Sequence, residues 1–373
     1  AGTGPVATGN LPQGVGGTVT NNPATKTIEL VVNHVTPLVW TATSSTVWDV
    51  GASTNWALSS AATTYQDGDN VRFDDSTANP GVVIAQPVSP GSVLFHNTGV
   101  AYSIATAGPG KLSGNTGITK DGTNRVNLGG VNDFTGDVII KNGILELANA
   151  GALGATSGAT CVSNGATLNM KDIRLTSTLE PIYITGEGYA GLGALYSDTG
   201  NGNADFLRDL RLSGDAWVGA AAGARFGFSD VAGTVTCVGG LHKFTKVGGG
   251  QFDFEEAAVT VGDIEVKEGV LQSANATTIN AGYGITVQSG AEFRIYRIAV
   301  PLARPFILNN GLINVSGWNG AGQNQLEGDI TLNSAGTFQV GSGFEATLTK
   351  GVKGSGALTK TGAGLLTMSA ANT

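Results

Sequence analysis

Apolar and polar residues alternate in short stretches along this chain, and turns rich in Gly and Asn separate the stretches. Val93 and Phe95, and then Tyr102 and Ile104, are apolar residues two positions apart. A period of two is that of a β-strand with one buried face. No stretch of useful length has apolar residues at helical spacing, so the pattern predicts an all-β protein.

One stretch of the chain occurs twice, without a gap, 126 residues apart. Residues 117–147 align with residues 243–273, and eight positions between 119 and 145 are identical. The beginning of this stretch occurs a third time at 356–368. Short strands without crossover helices leave two architectures, a sandwich or barrel and a solenoid of stacked coils. Duplication favours the solenoid, because copies can be added end to end without rebuilding the core.

Differences between the two long copies indicate which side chains face inward. Alternate positions stay apolar and the position between them accepts charge, because Val138, Ile139 and Ile140 become Ile264, Glu265 and Val266. The strands therefore have one buried face. We expect each coil to take ~20 residues. Each coil then hydrogen-bonds only its neighbours, which lie ~4.8 Å above and below it.

The residues GITKDGTNRVNLGGVNDFTGDVIIKNGILEL and GALTKTGAGLLTMSAANT resemble the autotransporter-associated β-strand repeat. Asn132, Phe134 and Gly136 occupy that family's positions in the first copy, whereas Ala258 and Thr260 replace the Asn and the aromatic residue in the second. The resemblance covers about residues 38–373. It implies a right-handed parallel β-helix. The family includes adhesins, surface-layer-like proteins and uncharacterised exported proteins, so the resemblance also implies a bacterial protein located outside the cell or on its surface.

These patterns predict five segments along the chain. They are an N-terminal arm with one strand (1–37), a Trp-containing cap with the first coils (38–116), a first β-helix repeat (117–242), a second repeat (243–355) and the start of an incomplete third repeat (356–373).

Composition excludes some functions. Charged residues are 13% of the chain, the formal net charge is −8, and no Lys/Arg-rich run occurs, so nucleic acid is a poor partner. No apolar run approaches the ~18 residues of a membrane-spanning helix.

Parallel β-helices also include polysaccharide lyases and hydrolases, which need clustered carboxylates. None of the acidic pairs in this chain is followed by the His-containing or Arg-x-Lys motifs of those enzymes, and the three His lie in unrelated strand contexts. We therefore predict no catalytic residue, no metal ligand and no cofactor. A calcium site at residues 67–70 is the alternative to a simple turn of Asp and Gly. The acidic pairs considered for catalysis are Asp67 and Asp69, Asp74 and Asp75, and Glu255 and Glu256; the three His are His34, His96 and His242.

Trp40, Trp48 and Trp56 are eight residues apart before the repeats begin. This spacing predicts a lid over the open end of the core, with sugar stacking as the alternative. Cys161 lies on an outward position and Cys237 on an ambiguous one; we expect free thiols.

Lys120, Lys246 and Lys360 occur at equivalent positions of the three copies. They indicate either a ladder that binds a ligand or a charged side chain at the same solvent-facing corner of each repeat. We favour the solvent-facing corner.

The two termini carry the functional prediction. Residues 26–36 alternate as one strand with Ile28, Leu30 and Val32 on one face, and the preceding residues 1–24 have little periodicity. The third copy stops at Asn372-Thr373, where the first copy continues. We expect this to leave an open sheet edge with Leu365, Leu366 and Met368, unless further repeats follow residue 373.

We therefore expect the N-terminal strand of one molecule to complete the C-terminal edge of the next by β-strand addition. A head-to-tail contact that does not close makes a filament, whose partner is the chain itself. The alternatives are a monomeric passenger that acts as an adhesin, with cell-surface or host glycans as partners, and a polysaccharide-active enzyme.

Overall fold

In the computed structural model the described residues are 9–175, 180–200, 205–228, 236–317 and 323–371, and almost all ordered structure among them is β-strand. The first twenty strands are β1 (Val15–Asn22), β2 (Thr27–Val35), β3 (Leu38–Trp40), β4 (Val47–Trp48), β5 (Trp56–Leu58), β6 (Ala61–Thr63), β7 (Asn70–Asp74), β8 (Gly81–Ile84), β9 (Pro87–Val88), β10 (Ser92–His96), β11 (Tyr102–Thr106), β12 (Lys111–Leu112), β13 (Ile118–Lys120), β14 (Arg125–Leu128), β15 (Val138–Ile140), β16 (Gly143–Leu147), β17 (Thr160–Val162), β18 (Ala166–Asn169), β19 (Ile182–Gly186) and β20 (Leu195–Ser197).

The remaining strands are β21 (Asp205–Leu207), β22 (Asp209–Ala220), β23 (Arg225–Phe228), β24 (Thr236–Val238), β25 (Phe244–Val247), β26 (Gln251–Glu255), β27 (Ala258–Thr260), β28 (Ile264–Val266), β29 (Val270–Ala274), β30 (Thr278–Ile279), β31 (Ile285–Val287), β32 (Glu292–Tyr296), β33 (Phe306–Leu308), β34 (Leu312–Gly317), β35 (Gln325–Leu326), β36 (Ile330–Leu332), β37 (Gly336–Val340), β38 (Glu345–Leu348), β39 (Val352–Gly354), β40 (Leu358–Thr361) and β41 (Leu365–Met368). One short 3₁₀ helix covers Tyr189–Gly191. Within the described residues no helix is long and apolar enough to span a bilayer.

The chain forms two compact units. The first contains Ala1–Ile139 and Gly151–Gly158, and the second contains Ile140–Ala150 and Ala159–Thr373. In both units the coils are parallel strands stacked in register, which confirms the predicted parallel β-solenoid.

The first unit begins with antiparallel structure and continues as a solenoid. Strand β3 pairs antiparallel with β5 on one edge and parallel with β7 on the other. From there Leu38, Val71, Val93 and Ile118 stack on one another through β3, β7, β10 and β13. All four side chains are buried, so the parallel coils grow from this antiparallel start.

The described strands of the second unit stack in parallel ladders, including a short one of β35, β38 and β41. One ladder runs from the end of β22 through β25, β28, β31, β33, β36 and β39. The second runs from β21 to β40, and the third includes β24, β27 and β30. Inward residues of the first ladder lie directly above one another and are buried: Phe244, Ile264, Ile285, Phe306, Ile330 and Val352.

The predicted inward and outward faces are correct for the strands on which they rested. Ile264 and Val266 are buried, whereas Glu265 between them is partly exposed. Cys161 is partly exposed, as its outward position predicted, and Cys237 is buried. The two thiols do not form a disulfide.

The prediction of an N-terminal arm with a single strand was wrong. Residues 15–22 form β1, which pairs antiparallel with β2. The pairing has a bulge between Gly16 and Gly17. A Cβ on Gly16 would lie 2.0 Å from the ring of the exposed His34 side chain, so a larger residue at this position would require that ring to move. The Gly and Asn residues of β1 give it no clear apolar alternation, so the sequence pattern did not predict a strand here. Main-chain hydrogen bonds to β2 hold it in place.

Candidate functional site

The residues predicted for self-assembly lie in two exposed places. Ile28, Leu30 and Val32 are 61%, 47% and 50% exposed on β2, which already pairs with β1. The β1–β2 hairpin is a sheet of two strands, so each strand has one edge that pairs with no other strand of the described chain.

The C-terminal set lies on β41. Leu365 and Met368 are 56% and 46% exposed, and Leu366 is partly exposed. Leu366 pairs with the buried Ala346 of β38. Residues Asn372-Thr373, on which the prediction of an incomplete third copy rested, lie outside the described residues.

The three Trp of the first unit form a core cluster. Trp40, Trp48 and Trp56 are 0–1% exposed. Trp56 contacts the other two Trp, and the cluster includes Tyr65 and Phe73, with ring centroids of contacting pairs 5.0–6.0 Å apart. The three Trp are therefore part of the core of the first unit. This burial leaves none of the three with an exposed face on which a sugar could stack.

The acidic turn at residues 67–70 is held by N–H and O–H donors. Asp69 accepts bonds from Gln13 N (2.8 Å), Gln13 Nε2 (2.8 Å) and Gln66 N (2.9 Å). Asp67 accepts a bond from the Tyr65 hydroxyl at 3.0 Å. The two carboxylates therefore organise the turn. Among the described residues no group of three or more His, Cys, Asp or Glu is arranged to hold a metal ion.

Asp75 occupies a similar nest of donors. Thr98 Oγ1 and the backbone N–H groups of Thr98, Gly99 and Val100 all donate to its carboxylate. The hydrogen bond from Thr98 lowers the pKa of Asp75 to about 2. This carboxylate is therefore a permanent acceptor that ties two successive turns together.

The prediction that the repeated Lys stand at solvent-facing corners was wrong for two of them. Lys120 and Lys246 are fully buried, and only Lys360 is exposed. Lys246 Nζ donates to the carbonyl oxygens of Val247 (2.7 Å), Gly248 (2.7 Å) and, from the next coil, Glu268 (3.2 Å).

The other two copies have the same local geometry. Lys120 Nζ donates to the Gly122 carbonyl, and Lys360 Nζ donates to the carbonyls of Thr361 and Gly362. Each Lys thus closes the corner that follows its strand by satisfying carbonyl groups that the turn leaves unpaired.

A polar groove on the second unit was not predicted. It has a volume of about 630 Å³ and lies on the outer face of the first ladder. Trp217 of β22 pairs with Thr245 of β25, and Thr245 pairs with Glu265 of β28. Outward positions of three successive coils therefore meet here. Acidic and basic side chains flank this row: Glu187, Asp215, Lys243 and Lys267.

Charges in the groove are paired in a defined way. Lys243 Nζ bonds Glu265 Oε2, and Gln288 Nε2 donates to Glu265 Oε1 at 2.7 Å. Burial alone would raise the pKa of Glu265, but the hydrogen bonds from Lys243 and Gln288 outweigh it and lower the pKa. Glu265 is therefore ionised at neutral pH.

Trp217 is the aromatic part of the groove and is half-buried. The Lys267 ammonium group lies 4.1 Å from the centroid of its ring, within the range of a cation–π contact. Asp215 Oδ1 accepts a bond from the Lys243 backbone N–H at 2.8 Å and lies 3.9 Å from His242 Nδ1. Asp215 is 73% exposed, so its carboxylate remains accessible at the rim.

A second depression continues the groove along the same ladder. It has a volume of about 260 Å³ and shares Lys243 and Glu265 with the first. Thr286 and Ile307 extend it over two further coils, because Glu265 pairs with Thr286 and Thr286 with Ile307. From Trp217 to Ile307 the row crosses four coil spacings, about 19 Å at ~4.8 Å each.

One sequence signal could have pointed to this groove. In the stretch 215–220, Asp215, Trp217 and Gly219 alternate with apolar residues, which places a large aromatic side chain outward. An outward Trp is unusual on a structural strand. Nothing in the sequence indicated that Lys243 and Glu265 lie beside it.

Comparison with known proteins gives one informative similarity. No family profile matches the chain, and no solved structure matches it. Over 250 residues the chain is 28% identical to the Adhesin BmaC autotransporter of Brucella suis biovar 1 (strain 1330). The similarity covers 58% of this chain and 7% of that protein, so the chain corresponds to a small part of its relative's length.

Proposed function

We propose that this chain is an exported bacterial adhesin-like protein, located outside the cell or on its surface, whose β-solenoid presents a binding face and catalyses no reaction. The observation that carries the proposal is the similarity to part of an autotransporter adhesin. The solenoid supports it, because stacked coils offer an extended outer surface for recognition.

Adhesion is tested with beads coated with the full chain and applied to cultured epithelial cells. We expect more beads to remain bound than with beads coated with an inert protein, and soluble chain to compete. Retention equal to the inert coat on every surface tested would contradict the proposed function.

A second candidate is the head-to-tail filament. The observation that favours it is the β1–β2 hairpin, which exposes Ile28, Leu30 and Val32 and has free strand edges. Exposed, flat strand edges are templates for pairing with another chain. In this proposal the hairpin edge of one molecule adds to the edge near Leu365 and Met368 of the next.

Negative-stain electron microscopy over a dilution series tests the filament. We expect fibres from the full chain, and isolated particles when Leu30→Lys places a charge on the hairpin. Thr20→Lys adds the same charge to the other strand of the hairpin without removing an apolar side chain. It is the matched control, and it shows whether the loss of the Leu30 side chain or the added charge prevents fibres. Isolated particles at the highest concentration of the unaltered chain would rule out the filament.

A further inference from the structure

We propose that the groove around Trp217 and Glu265 binds a linear oligosaccharide, with Trp217 as the stacking platform. This inference rests on the proposed adhesive function and assigns its ligand class and its contact residues. The groove lies wholly within the second unit and involves outward positions of successive coils.

The chemistry of the lining selects the ligand class. Three carboxylates (Glu187, Asp215 and Glu265) face two ammonium groups (Lys243 and Lys267), so opposite charges are nearly balanced. Such a lining repels a polyphosphate and leaves an apolar ligand with unpaired polar groups around it. A sugar carries hydroxyl groups that both donate and accept, and so fits a mixture of carboxylates and ammonium groups.

Trp217 supplies the apolar contact that a sugar ring requires. Its ring is half-buried and lines the groove, and the Lys267 ammonium group lies 4.1 Å from the ring centroid. A rigid aromatic side chain loses little conformational entropy on binding, which makes it an effective contact residue. A pyranose ring presents C–H groups on its face and hydroxyls at its edge, so one ring can contact Trp217 and bond to Asp215 or Lys267.

The length of the row indicates an extended ligand. Trp217, Thr245, Glu265, Thr286 and Ile307 follow one another along the ladder over about 19 Å. Both depressions share Lys243 and Glu265, so the ligand path is continuous. The groove therefore accommodates several linked sugar units rather than a single one.

The pairs within the groove are already formed without ligand. Lys243 bonds Glu265, and Gln288 fixes the second oxygen of the same carboxylate. Because these side chains are held in place, binding costs little further ordering. Glu265 has a 15% exposed side chain and Lys243 a 41% exposed one, so each retains a surface that faces the ligand.

A printed array of bacterial and mammalian glycans probes the full chain first, and isothermal titration with the best soluble oligosaccharide follows. We expect Trp217→Ala to weaken binding by about tenfold or more, and Trp217→Phe to retain most of it. Glu265→Gln removes the charge but keeps the shape and is expected to weaken binding also. Lys353→Ala, on the same outer ladder beyond the groove, is the matched control and is expected to bind as the unaltered chain does.

Circular dichroism and thermal melting verify that each variant is folded before its affinity is compared. Equal affinity of Trp217→Ala, Glu265→Gln and the unaltered chain would overturn the groove while leaving the adhesive function standing. If coated beads bind cells but the chain binds no glycan on the array, the proposed oligosaccharide ligand is wrong and the adhesive function still stands. If beads coated with the unaltered chain do not bind cells, the proposed adhesive function itself is contradicted.

Chromatography of the oligosaccharide after prolonged incubation with the chain separates binding from cleavage. We expect the ligand to be recovered intact. Shorter products that disappear in Glu265→Gln would overturn binding without chemistry and support the polysaccharide-active alternative.

Discussion

Lys246 places its ammonium group inside the coil, where three carbonyl oxygens surround it. Two of these belong to its own corner and the third, from Glu268, to the next coil. The side chain thereby replaces hydrogen bonds that main-chain pairing cannot supply at a turn. The repeated Thr-Lys motif is a way of closing a corner, and it does not by itself mark a ligand site.

Replacement of this Lys tests its structural role. We expect Lys246→Met to lower the free energy of unfolding by about 1–3 kcal/mol, because buried carbonyl groups lose their donor. Lys360→Met removes the same local bonds at an exposed corner and is expected to change it by less than about 0.5 kcal/mol. Urea unfolding measures both, and equal midpoints for the two variants would contradict the role assigned to Lys246.

The pH dependence of stability follows from the same burial. Burial lowers the pKa of Lys246 to about 7 and that of Lys120 to about 8, against 10.5 as the ordinary value. Between these values the unfolded chain binds more protons than the folded one, so the free energy of unfolding rises with pH from about 7 toward about 10.

The variant that lacks one of the two amines isolates this effect. We expect the difference in stability between the unaltered chain and Lys246→Met to grow as pH rises from about 7 to about 9.5. Urea unfolding at both pH values measures it. A difference that stays constant or shrinks would show that the folded state keeps Lys246 protonated.

At the scale of elements, the same local motif is used at different corners of the coil. Lys246 lies on β25 of the first ladder, whereas Lys360 lies on β40, which pairs with β37 of the second ladder. The sequence repeat is thus a strand, a corner and a strand, and it is not tied to one side of the solenoid. Gly248 and Gly362 follow the two Lys with φ of 73° and 75°, values that favour Gly.

Strand β22 shows how closely neighbouring coils approach. It has twelve residues, and its two ends belong to different ladders, since Asp209–Arg211 pairs with β24 and residues 216–219 pair with β25. A Cβ added to Gly219 would lie 1.7 Å from the Leu192 carbonyl oxygen. The coil below therefore requires Gly at this position.

A substitution at Gly219 tests this contact. We expect Gly219→Ala to lower the free energy of unfolding by about 1–3 kcal/mol, because the strand must shift away from the coil below. Gly284→Ala is the control, because the nearest atom to its added Cβ lies 3.7 Å away. Thermal melting compares the two, and equal melting temperatures would show that the Leu192 carbonyl moves aside freely.

At the scale of the molecule, the stability of stacked coils is a sum of contacts between neighbours, so the first coil of a solenoid needs a cover. In the first unit the antiparallel β3 and β5 bring Trp40 and Trp56 onto Phe73 of β7, and Trp48, on β4 beside β8, packs on the same ring. The cluster continues upward, because Phe73 stacks on Phe95 with centroids 4.7 Å apart. The aromatic residues therefore connect the cover with the coils.

Hydrogen exchange tests whether this cover limits local opening. We expect Trp56→Ala, a loss of about 3–5 kcal/mol of packing, to speed amide exchange in β7 and β10 while β29 and β32 keep their protection. Val88→Ala, a smaller truncation of the core in the same unit, is expected to speed exchange less. Uniform acceleration in all four strands would contradict nearest-neighbour stability.

The sequence alone determined that short strands stack as parallel coils and which residues of strands such as β28 face inward, but it did not reveal β1. Side-chain alternation is a local property of an extended backbone, so Ile264, Glu265 and Val266 reveal their orientation without knowledge of any neighbour. The Trp residues at 40, 48 and 56 likewise indicated a core cover, because side chains of that size and apolarity seek burial.

Only the tertiary structure decided which residues of different coils become neighbours. Lys246 is buried because the next coil brings the Glu268 carbonyl to it, and alternation could not show this. Trp217 and Glu265 meet through Thr245 because the turns between their strands have lengths that bring them into one row. The register between coils depends on every intervening turn, so the groove forms only when the coils have stacked.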